Sequence, residues 1–506
     1  MSQYKVSDIS NVYWACNDGF KAGRDPMGIQ NSSIATYGCI LPGLTNLTGH
    51  IRYYSLYCWL LSEYDEMDSN GETNDLHQYN FIRRAELVMA FIMKDLDVRA
   101  VVGANFIQYE RFCLTEDGYY DIEEGADYES EDKYWSFKSG AFGQYYLGSL
   151  IYFSLVKIEE NRFYLLNKGK ELAQAFKESV SSNVRDLFLD CIIYGAVSDE
   201  ELEDLQPIGL HSIKENSKEW VMLNELLTTE DSDGSSLRRE SILLMLKDID
   251  EHKVSISEFV QHRFLNRGDA TEGAIFAWYF YYLCEVLHYC IESIFCFVLN
   301  KIDELQNPPF DILLDNITEE LLSNMEEEQQ YNDINEWKDD CTFNINEQWD
   351  IVKQDIKDKE YTLSIVHALP LLLRLYNEYK CNEKAIKDFE INYDLVRQRG
   401  IFSEGLKAYV EKHLFLNLKD YIAALVRQVM NEHTVVAIAK MGANNVDLRK
   451  FIFEDGYVIL VEIRYPNQTN PRIESLHNFL VDLKYLTEED ELTDIAHEFI
   501  ASYGEK

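Results

Sequence analysis

Residues Gly140–Phe176, GAFGQYYLGSLIYFSLVKIEENRFYLLNKGKELAQAF, hold the most informative order of elements in this chain. The apolar run Ala141–Val156 predicts a helix, which leads into a Glu-Glu-Asn turn and a strand over Phe163–Leu166. Gly169 and a second, amphipathic helix follow. The sequence therefore predicts a helix–turn–strand–helix unit within residues 133–180.

This order of elements resembles a winged helix, a fold that often binds nucleic acid or another protein. The helix expected to make the contact, Ala141–Val156, contains no Lys or Arg. Contacts between cations and phosphates supply most of the non-specific affinity for DNA. The order of elements therefore predicts a recognition module, while the charge disfavours DNA as its ligand.

The composition is typical of a mainly helical protein with several domains. A chain of 506 residues is too long for one compact core, and 46% hydrophobic residues indicate a folded protein. Eight prolines and 24 glycines are few for this length, which favours helices over a turn-rich β architecture. We predict a mainly α fold with a minor α+β part, winged-helix-like elements and a C-terminal β-hairpin.

Changes of composition along the chain predict five consecutive segments. They are an N-terminal helical domain (1–115), an acidic solvated loop (116–132), the winged-helix-like unit (133–180), a helical domain (181–430) with an acidic segment at 303–340, and a C-terminal hairpin followed by a second winged-helix-like unit (431–506).

The negative charge of the chain is concentrated. The formal net charge is −41, and the stretches 116–132 and 303–340 hold 21 of these excess charges. Such a field repels nucleic acid and anionic membranes and attracts basic proteins. Solubility alone would account for the total, but it would not require this clustering. We therefore expect partner subunits with basic surfaces, and neither direct DNA binding nor a membrane.

Two further features predict a cytoplasmic location. The N-terminus, MSQYKVSDISNVYWACNDG, lacks a secretion signal, and the ten cysteines form no CxxC pair.

The apolar segment Gly273–Leu299 is interrupted by Glu285, His288 and Glu292. A membrane span needs about 20 predominantly apolar residues, so we predict that this segment is a buried core helix.

The segment Asp447–Tyr465, DLRKFIFEDGYVILVEIRY, predicts a β-hairpin whose two-residue type I′ turn is Asp455-Gly456. The register that this turn imposes gives four facing pairs: Glu454–Tyr457, Phe453–Val458, Arg449–Glu462 and Asp447–Arg464. The last two bring opposite charges together across the ladder, which stabilises a hairpin.

A metal-dependent enzyme is one alternative function. Glu462-x-Arg464 after Glu454-Asp455 superficially matches a nuclease core. However, Asp455 and Glu462 would lie roughly 23 Å apart at about 3.3 Å per residue, too far to share one ion.

Glu285-x-x-His288 has the spacing used by di-iron helix bundles, which need further glutamates from other helices. Ionisable groups on an apolar helix require partners, so we favour a polar pair in the core over a metal site.

The most interesting polar set is His50, Arg52, Arg83, Arg84 and Glu86, on helices that are otherwise apolar. Glu86 is expected to pair with Arg83 on the same helix or with Arg52 on another. Two hypotheses follow for this set. It is either a buried ion-pair network that joins helices or a pocket that binds an anion or carboxylate.

The motifs of several common enzyme classes are missing from the sequence: GxxxxGK[ST], GxSxG, HExxH, and GxGxxG after a strand. We therefore expect no catalytic residues and no cofactor.

Four segments together resemble a pattern found in uncharacterised bacterial proteins, some encoded among anti-phage defence genes. They are DPMGIQ…LPGLTNLTGHIRYYSLYCWLL, FIRRAELVMAF, YLLNKGKELAQAF and RIESLHNFLVDLKYL. The resemblance leaves about 190–430 unmatched, and it implies a subunit that works beside separate enzymes or motors. The favoured hypothesis is a non-catalytic scaffold, sensor or regulatory subunit of a bacterial assembly. The alternatives are a metal-dependent enzyme and a nucleic-acid-binding winged-helix protein.

Overall fold

The chain forms two compact units, each built from two separate stretches of sequence. The computed structural model describes residues 25–73, 75–94, 101–108, 115, 117–229, 235–395, 401–444 and 447–504. The N-terminal segment on which the absence of a secretion signal was predicted lies outside these residues. The first unit comprises 1–40 and 260–469, and the second comprises 41–259 and 470–506.

The first unit is an assembly of helices around one long apolar helix. Its elements, labelled in chain order, are α1 (Gln30–Ile40), α13 (Gly273–Glu304), α14 (Phe310–Asn324), α15 (Ile334–Asp340), α16 (Ile345–Asp358), α17 (Tyr361–Asn392), α18 (Lys407–His413), α19 (Leu418–Asn444), β5 (Phe451–Glu454) and β6 (Tyr457–Leu460). Helix α13 packs against α1, α17 and α19. A short helix, α12 (Phe259–Leu265), begins at the boundary with the second unit.

Helix α13 is long and apolar enough to cross a membrane by length and composition, and its most apolar window is entirely buried. An apolar helix whose whole circumference is covered belongs to a core. The predicted burial of Gly273–Leu299 is therefore confirmed.

The second unit is also mainly helical. Its elements are α2 (Arg52–Asn70), α3 (Gln78–Ile92), α4 (Ala104–Gln108), β1 (Tyr120–Asp121), α5 (Ile122–Ala126), α6 (Leu147–Tyr152), β2 (Val156–Glu159), β3 (Arg162–Leu165), α7 (Asn167–Ser179), α8 (Ser182–Tyr194), β4 (Ala196–Val197), α9 (Asp199–Asp204), α10 (Lys218–Thr228), α11 (Ser235–His252), α20 (Ile473–Asp482) and α21 (Asp494–Gly504). Helices α2 and α7 pack against each other, and α7 also contacts α10.

The segment 133–180 contains one more strand than the sequence predicted. A π-helical turn, Phe142–Tyr146, continues into α6, which ends at Tyr152. Val156 therefore begins strand β2 and does not end a helix. Strands β2 and β3 pair antiparallel around Glu160 and Asn161, whose φ angles of 49° and 65° form the tight turn.

The acidic stretch 116–132 was predicted to be a solvated loop, and its described part is more ordered than that. Strand β1 pairs with β4 (Tyr120 with Val197), and helix α5 follows at once. The Asp121 side chain accepts a hydrogen bond from the Glu124 amide and caps this helix. These acidic residues form part of a folded element, although most of their side chains are exposed.

The C-terminal hairpin has the predicted turn and register. Glu454 pairs with Tyr457 and Phe453 with Val458, and both Asp455 and Gly456 have positive φ angles. The hairpin belongs to the first unit, where the Val458 amide donates to the Pro308 carbonyl. Helices α20 and α21 belong to the second unit, so residues 431–506 are divided between the two.

The two charge pairs predicted across the hairpin, Arg449–Glu462 and Asp447–Arg464, do not form. The strands end at Phe451 and Leu460, before the charged residues could face each other as ladder partners. Arg449 instead forms an ion pair with its near neighbour Asp447, and Lys450 forms one with Glu462. Arg464 donates to the Asn467 side chain at 2.8 Å.

Two glycines of the segment 133–180 provide a matched test of its packing. A Cβ on Gly169 would lie 2.2 Å from the Leu155 carbonyl oxygen, whereas a Cβ on Gly148 would meet nothing within 4 Å. We expect Gly169→Ala to lower the free energy of unfolding by about 1–3 kcal/mol. Gly148→Ala should leave it unchanged or raise it by up to about 1 kcal/mol. Urea unfolding followed by circular dichroism measures both, and equal stability of the two variants would contradict this packing.

Candidate functional site

The predicted polar set lies in the second unit and is buried. His50 precedes α2, Arg52 begins it, and Arg83, Arg84 and Glu86 lie on α3. The five side chains do not converge on one another. They contact several other segments of the second unit, and Arg83 and Arg84 both bind at the acidic stretch.

Arg52 forms a buried ion pair with Glu219 of α10. Its Nε and Nη2 lie 3.1 and 3.2 Å from the two carboxylate oxygens, a bidentate arrangement. Ser55 and Ser179 also donate to Glu219, so this buried carboxylate is fully hydrogen-bonded. The expected pair between Arg52 and Glu86 is not formed, because Glu219 occupies the guanidinium.

His50 makes an equivalent contact with Asp482 of α20. Its Nδ1 lies 3.1 Å from one carboxylate oxygen, and the Ile51 amide donates to the other at 3.0 Å. This carboxylate therefore holds the start of α2 to a segment more than four hundred residues later in the sequence.

Arg83 and Arg84 bind the polypeptide around the acidic stretch. Arg83 donates to the carbonyl oxygens of Ala126, Trp135 and Phe137, and it forms no pair with Glu86. Arg84 forms a bidentate pair with Asp127 at 2.7 Å. A guanidinium has five donors in a fixed plane, so it can satisfy several acceptors that would otherwise be buried without partners.

Glu86 lies beside the first part of the segment 133–180. It accepts hydrogen bonds from the hydroxyls of Tyr57 and Tyr134 and from the amides of Ala141 and Phe142. Burial raises the pKa of Glu86, and the four donors act against that rise. The carboxylate replaces water at the free amides of a helix start, which is a structural role.

Sequence reasoning missed a fourth arginine of the same kind. Arg238 on α11 is buried and donates to the carbonyl oxygens of Leu226 and Leu227, at the end of α10, and of Pro42. Carbonyls at a helix C-terminus lack partners within the helix and favour a cation. No feature of the sequence indicated this role, because Arg238 lies in the polar first turns of α11, before the apolar run 242–246.

These contacts decide between the two hypotheses for the polar set. Arg52 and Arg84 pair with protein carboxylates, and Arg83 donates to carbonyls. A pocket for an exogenous anion would require guanidinium donors directed toward open space. The geometry instead matches a buried network that joins segments.

A second buried ionic group lies on α13 of the first unit. His288 Nδ1 is 3.2 Å from Glu285, and its Nε2 is 3.2 Å from Glu292. The two glutamates also hold an extended strap, because Thr469 donates its amide and hydroxyl to Glu285 and the Asn467 amide donates to Glu292. The sequence predicted a pair of Glu285 and His288, and the structure adds Glu292 as a third member of this group.

The ring geometry bears on metal binding. Glu285 and Glu292 contact opposite nitrogens of the same imidazole, so both carboxylates cannot share an ion with one of its nitrogens. An ion at either position would have to displace an existing ion pair. The arrangement has the form of a positively charged histidine between two carboxylates.

The segment 133–180 carries a cavity. It has a volume of about 530 Å³ and is lined by Ser154, Lys157, Leu165, Leu166, Asn167, Lys168 and Lys170. We call it the lysine cavity. It lies where β3 passes into α7. The residues 142–152, which the sequence predicted to make the contact, do not line it.

An acidic surface forms beside the β1–β4 pair. This pairing brings residues 117–124 next to α9, two stretches about eighty residues apart in the sequence. We call the exposed carboxylates of these two stretches the acidic face: Asp117, Asp121, Glu123, Glu124, Asp199, Glu200, Glu203 and Asp204. One of them, Glu123, also forms an ion pair with Arg84 at 3.0 Å. Tyr119 and Tyr194, which are 43% and 77% exposed, flank the same strands.

No protein-family model, no curated protein and no solved structure matches this chain. The assignment of these surfaces therefore rests on the geometry of the chain itself.

The group on α13 predicts how the first unit responds to pH. Burial lowers the pKa of His288, but Glu292 and Glu285 more than offset this and raise it to about 10. The folded chain thus binds this proton more tightly than the unfolded chain, whose histidine pKa is about 6.5. The stabilisation is complete below about pH 6.5 and is lost as the pH rises toward 10.

We expect His288→Gln to lower stability by about 3–5 kcal/mol near pH 6, because it leaves two buried carboxylates without their cation. The variant should also lose the part of the stability decline between pH 6.5 and 10 that His288 causes. Thermal unfolding over this range measures both effects, with the exposed His497→Gln as the control. Parallel pH curves for wild type and His288→Gln would contradict this account.

Proposed function

We propose that this protein is a non-catalytic scaffold, sensor or regulatory subunit of a multiprotein bacterial assembly, of the kind encoded among anti-phage defence genes. The observation that supports this most is the acidic face, where folded elements gather carboxylates from two distant acidic stretches beside exposed tyrosines. Tyrosine is enriched at protein interfaces, and the rim of an interface is polar.

The chemistry of this surface indicates its partner. Eight carboxylates at one surface attract a protein with clustered Lys and Arg, and they accelerate its association at low salt. One such partner is another subunit that has a DNA-binding surface. The acidic face would then compete with DNA for that surface.

The winged-helix-like segment fits a protein-binding role. The helix Phe142–Tyr152 has no cation, and Phe142, Tyr146 and Leu150 are buried within the second unit. Ile151 and Ile158 are 46% and 47% exposed, and lie on α6 and on the hairpin. These features favour contact with protein over contact with a phosphate backbone. We propose that α20 and α21 form a second winged-helix-like element, which also binds protein.

The enzyme alternative has less support. Glu285 and His288 are committed to the strap and to Glu292, and Glu462 is paired with Lys450. A metal-dependent reaction at these residues would require them to exchange existing ion pairs for an ion.

Charge reversal on the acidic face tests the proposal. Glu124, Glu200 and Glu203 are exposed, and among the described residues no ion-pair partner lies near them. We expect the triple Glu→Lys variant at these positions to lose the partner proteins that co-purify with the wild type at low salt. The wild-type complex should weaken in high salt, because exposed charge pairs are screened. Affinity purification from the native cells with mass spectrometry measures the loss.

The control makes the same change of charge elsewhere in the second unit, at Glu488, Glu489 and Glu491, which are also exposed. It should retain its partners. A wild-type monomer without partners at low salt, or equal loss in both variants, would overturn the proposed function.

A further inference from the structure

The C-terminal hairpin of the first unit is apolar on both of its faces. Seven of the eight residues in β5 and β6 are aliphatic or aromatic, and the eighth is Glu454. An antiparallel hairpin with one face in water commonly alternates apolar and polar residues. This hairpin departs from that alternation, so its second face has the composition of a covered surface.

The register of the hairpin assigns each side chain to a face. Phe451 and Val458 are buried, and β6 contacts α13, so their face packs on the first unit. Ile452 and Ile459 face each other on the opposite side, and Tyr457 lies on that side two residues before Ile459. Tyr457 is 50% exposed, and both isoleucines are partly exposed.

Val461 extends this second face beyond β6. The amides of Val461 and Glu462 both donate to the Lys450 carbonyl, at 2.8 and 3.2 Å. Two residues opposite one is the pattern of a β-bulge, which keeps Val461 on the side of Ile459. Val461 is 56% exposed. We call the following four side chains the outer face: Ile452, Tyr457, Ile459 and Val461.

The hairpin is fixed to the rest of the first unit along the edge of β6. The Val458 amide donates to the Pro308 carbonyl at 2.9 Å, and the Leu460 amide donates to the Asn307 side chain at 2.8 Å. A further strand therefore cannot pair with this edge, and a partner would contact the side chains of the outer face. A surface fixed in this way loses little conformational entropy on binding.

The charge around the turn selects the partner. Glu454 and Asp455 are exposed there, and exposed Asp311 follows Phe310, whose amide donates to the Gly456 carbonyl at 3.1 Å. Within the part of the chain that the structure describes, these three carboxylates form no ion pair. Lys or Arg of a partner would complement them, whereas an anionic membrane would be repelled.

A second copy of this chain fits the outer face less well. Each chain has a formal net charge of −41. A two-fold contact through the outer face would bring two strongly acidic surfaces together, and like charges oppose such an association.

We propose that the outer face binds a segment of a partner protein in which Lys or Arg alternate with large aliphatic side chains. The aliphatic side chains cover the outer face, and the cations lie against the carboxylates at the turn. This inference rests on the proposed function, and it assigns the first unit its own contact with a basic partner, in addition to the acidic face of the second unit.

A direct binding measurement tests this proposal. The probe is a short fluorescein-labelled peptide in which Leu and Lys alternate, titrated with the full-length chain by fluorescence anisotropy. We expect binding to weaken by at least about tenfold in the Tyr457→Ser, Val461→Ser double variant, because the charge is unchanged and only apolar contact is lost. The same loss is expected for the wild type when Ser replaces Leu in the peptide.

The control is the double variant Ile391→Ser, Ile438→Ser. These isoleucines are 65% and 53% exposed on α17 and α19 of the same unit, outside the outer face. The control should bind the peptide as the wild type does, and circular dichroism checks that both variants are folded.

Several other outcomes overturn the proposal. They are the absence of peptide binding, equal loss in the two variants, unchanged binding of the peptide with Ser in place of Leu, binding of phosphatidylcholine vesicles that is lost in the outer-face variant, and a wild-type dimer that this variant dissociates. If one of these occurs while partners still co-purify through the acidic face, only this inference fails. If the peptide binds at the outer face but no partner co-purifies, the proposed function fails.

Discussion

A charged side chain buried on an apolar helix must find partners within the protein, and this constraint governs both units. Leaving such a charge unpaired costs about 3–5 kcal/mol, which is a large part of the stability of a typical domain. Arg83 meets the requirement through three carbonyl oxygens, Arg52 through Glu219, and His288 through two glutamates. In each case the partner, or a residue bound to the partner, lies in a segment distant along the chain.

The consequence is that irregular segments are held by core helices. Arg83 and Arg84 position the acidic stretch, and Glu86 holds the first part of the segment 133–180. Glu285 and Glu292 hold the strap that precedes Asn470. A surface carried on segments fixed in this way loses little conformational entropy when it binds a partner. This favours the proposed role in which the acidic face is a contact surface.

The local and compositional features of the fold could be predicted from the sequence, while the long-range partners could not. The Asp455-Gly456 turn depends on two adjacent residues, and the burial of α13 follows from its apolar composition. Glu219 and Asp482, in contrast, are 167 and 432 residues away from the groups that they bind. Nothing in the spacing of Arg52 and Glu86 indicated that a third residue would occupy the guanidinium.

For the candidate surfaces, too, the sequence shows the local composition but does not show the long-range contacts. The excess of acidic residues in 116–132 was visible in the sequence, but its pairing with α9 depends on the β1–β4 contact. The reversal of charge within 133–180 was also visible in the sequence. The sequence did not indicate that the lysines of β2 and α7 lie close together. Only the hairpin geometry brings these lysines around one cavity.

We infer that the buried arginines hold segments of the chain and do not bind an external anion. Hydrogen–deuterium exchange with mass spectrometry on wild type and Arg83→Met tests it most directly. This account predicts faster exchange in peptides from residues 120–146 of the variant, with α13 of the first unit unchanged. Unchanged exchange in 120–146, or wild-type exchange there that slows on addition of sulfate and does not slow in the variant, would contradict it.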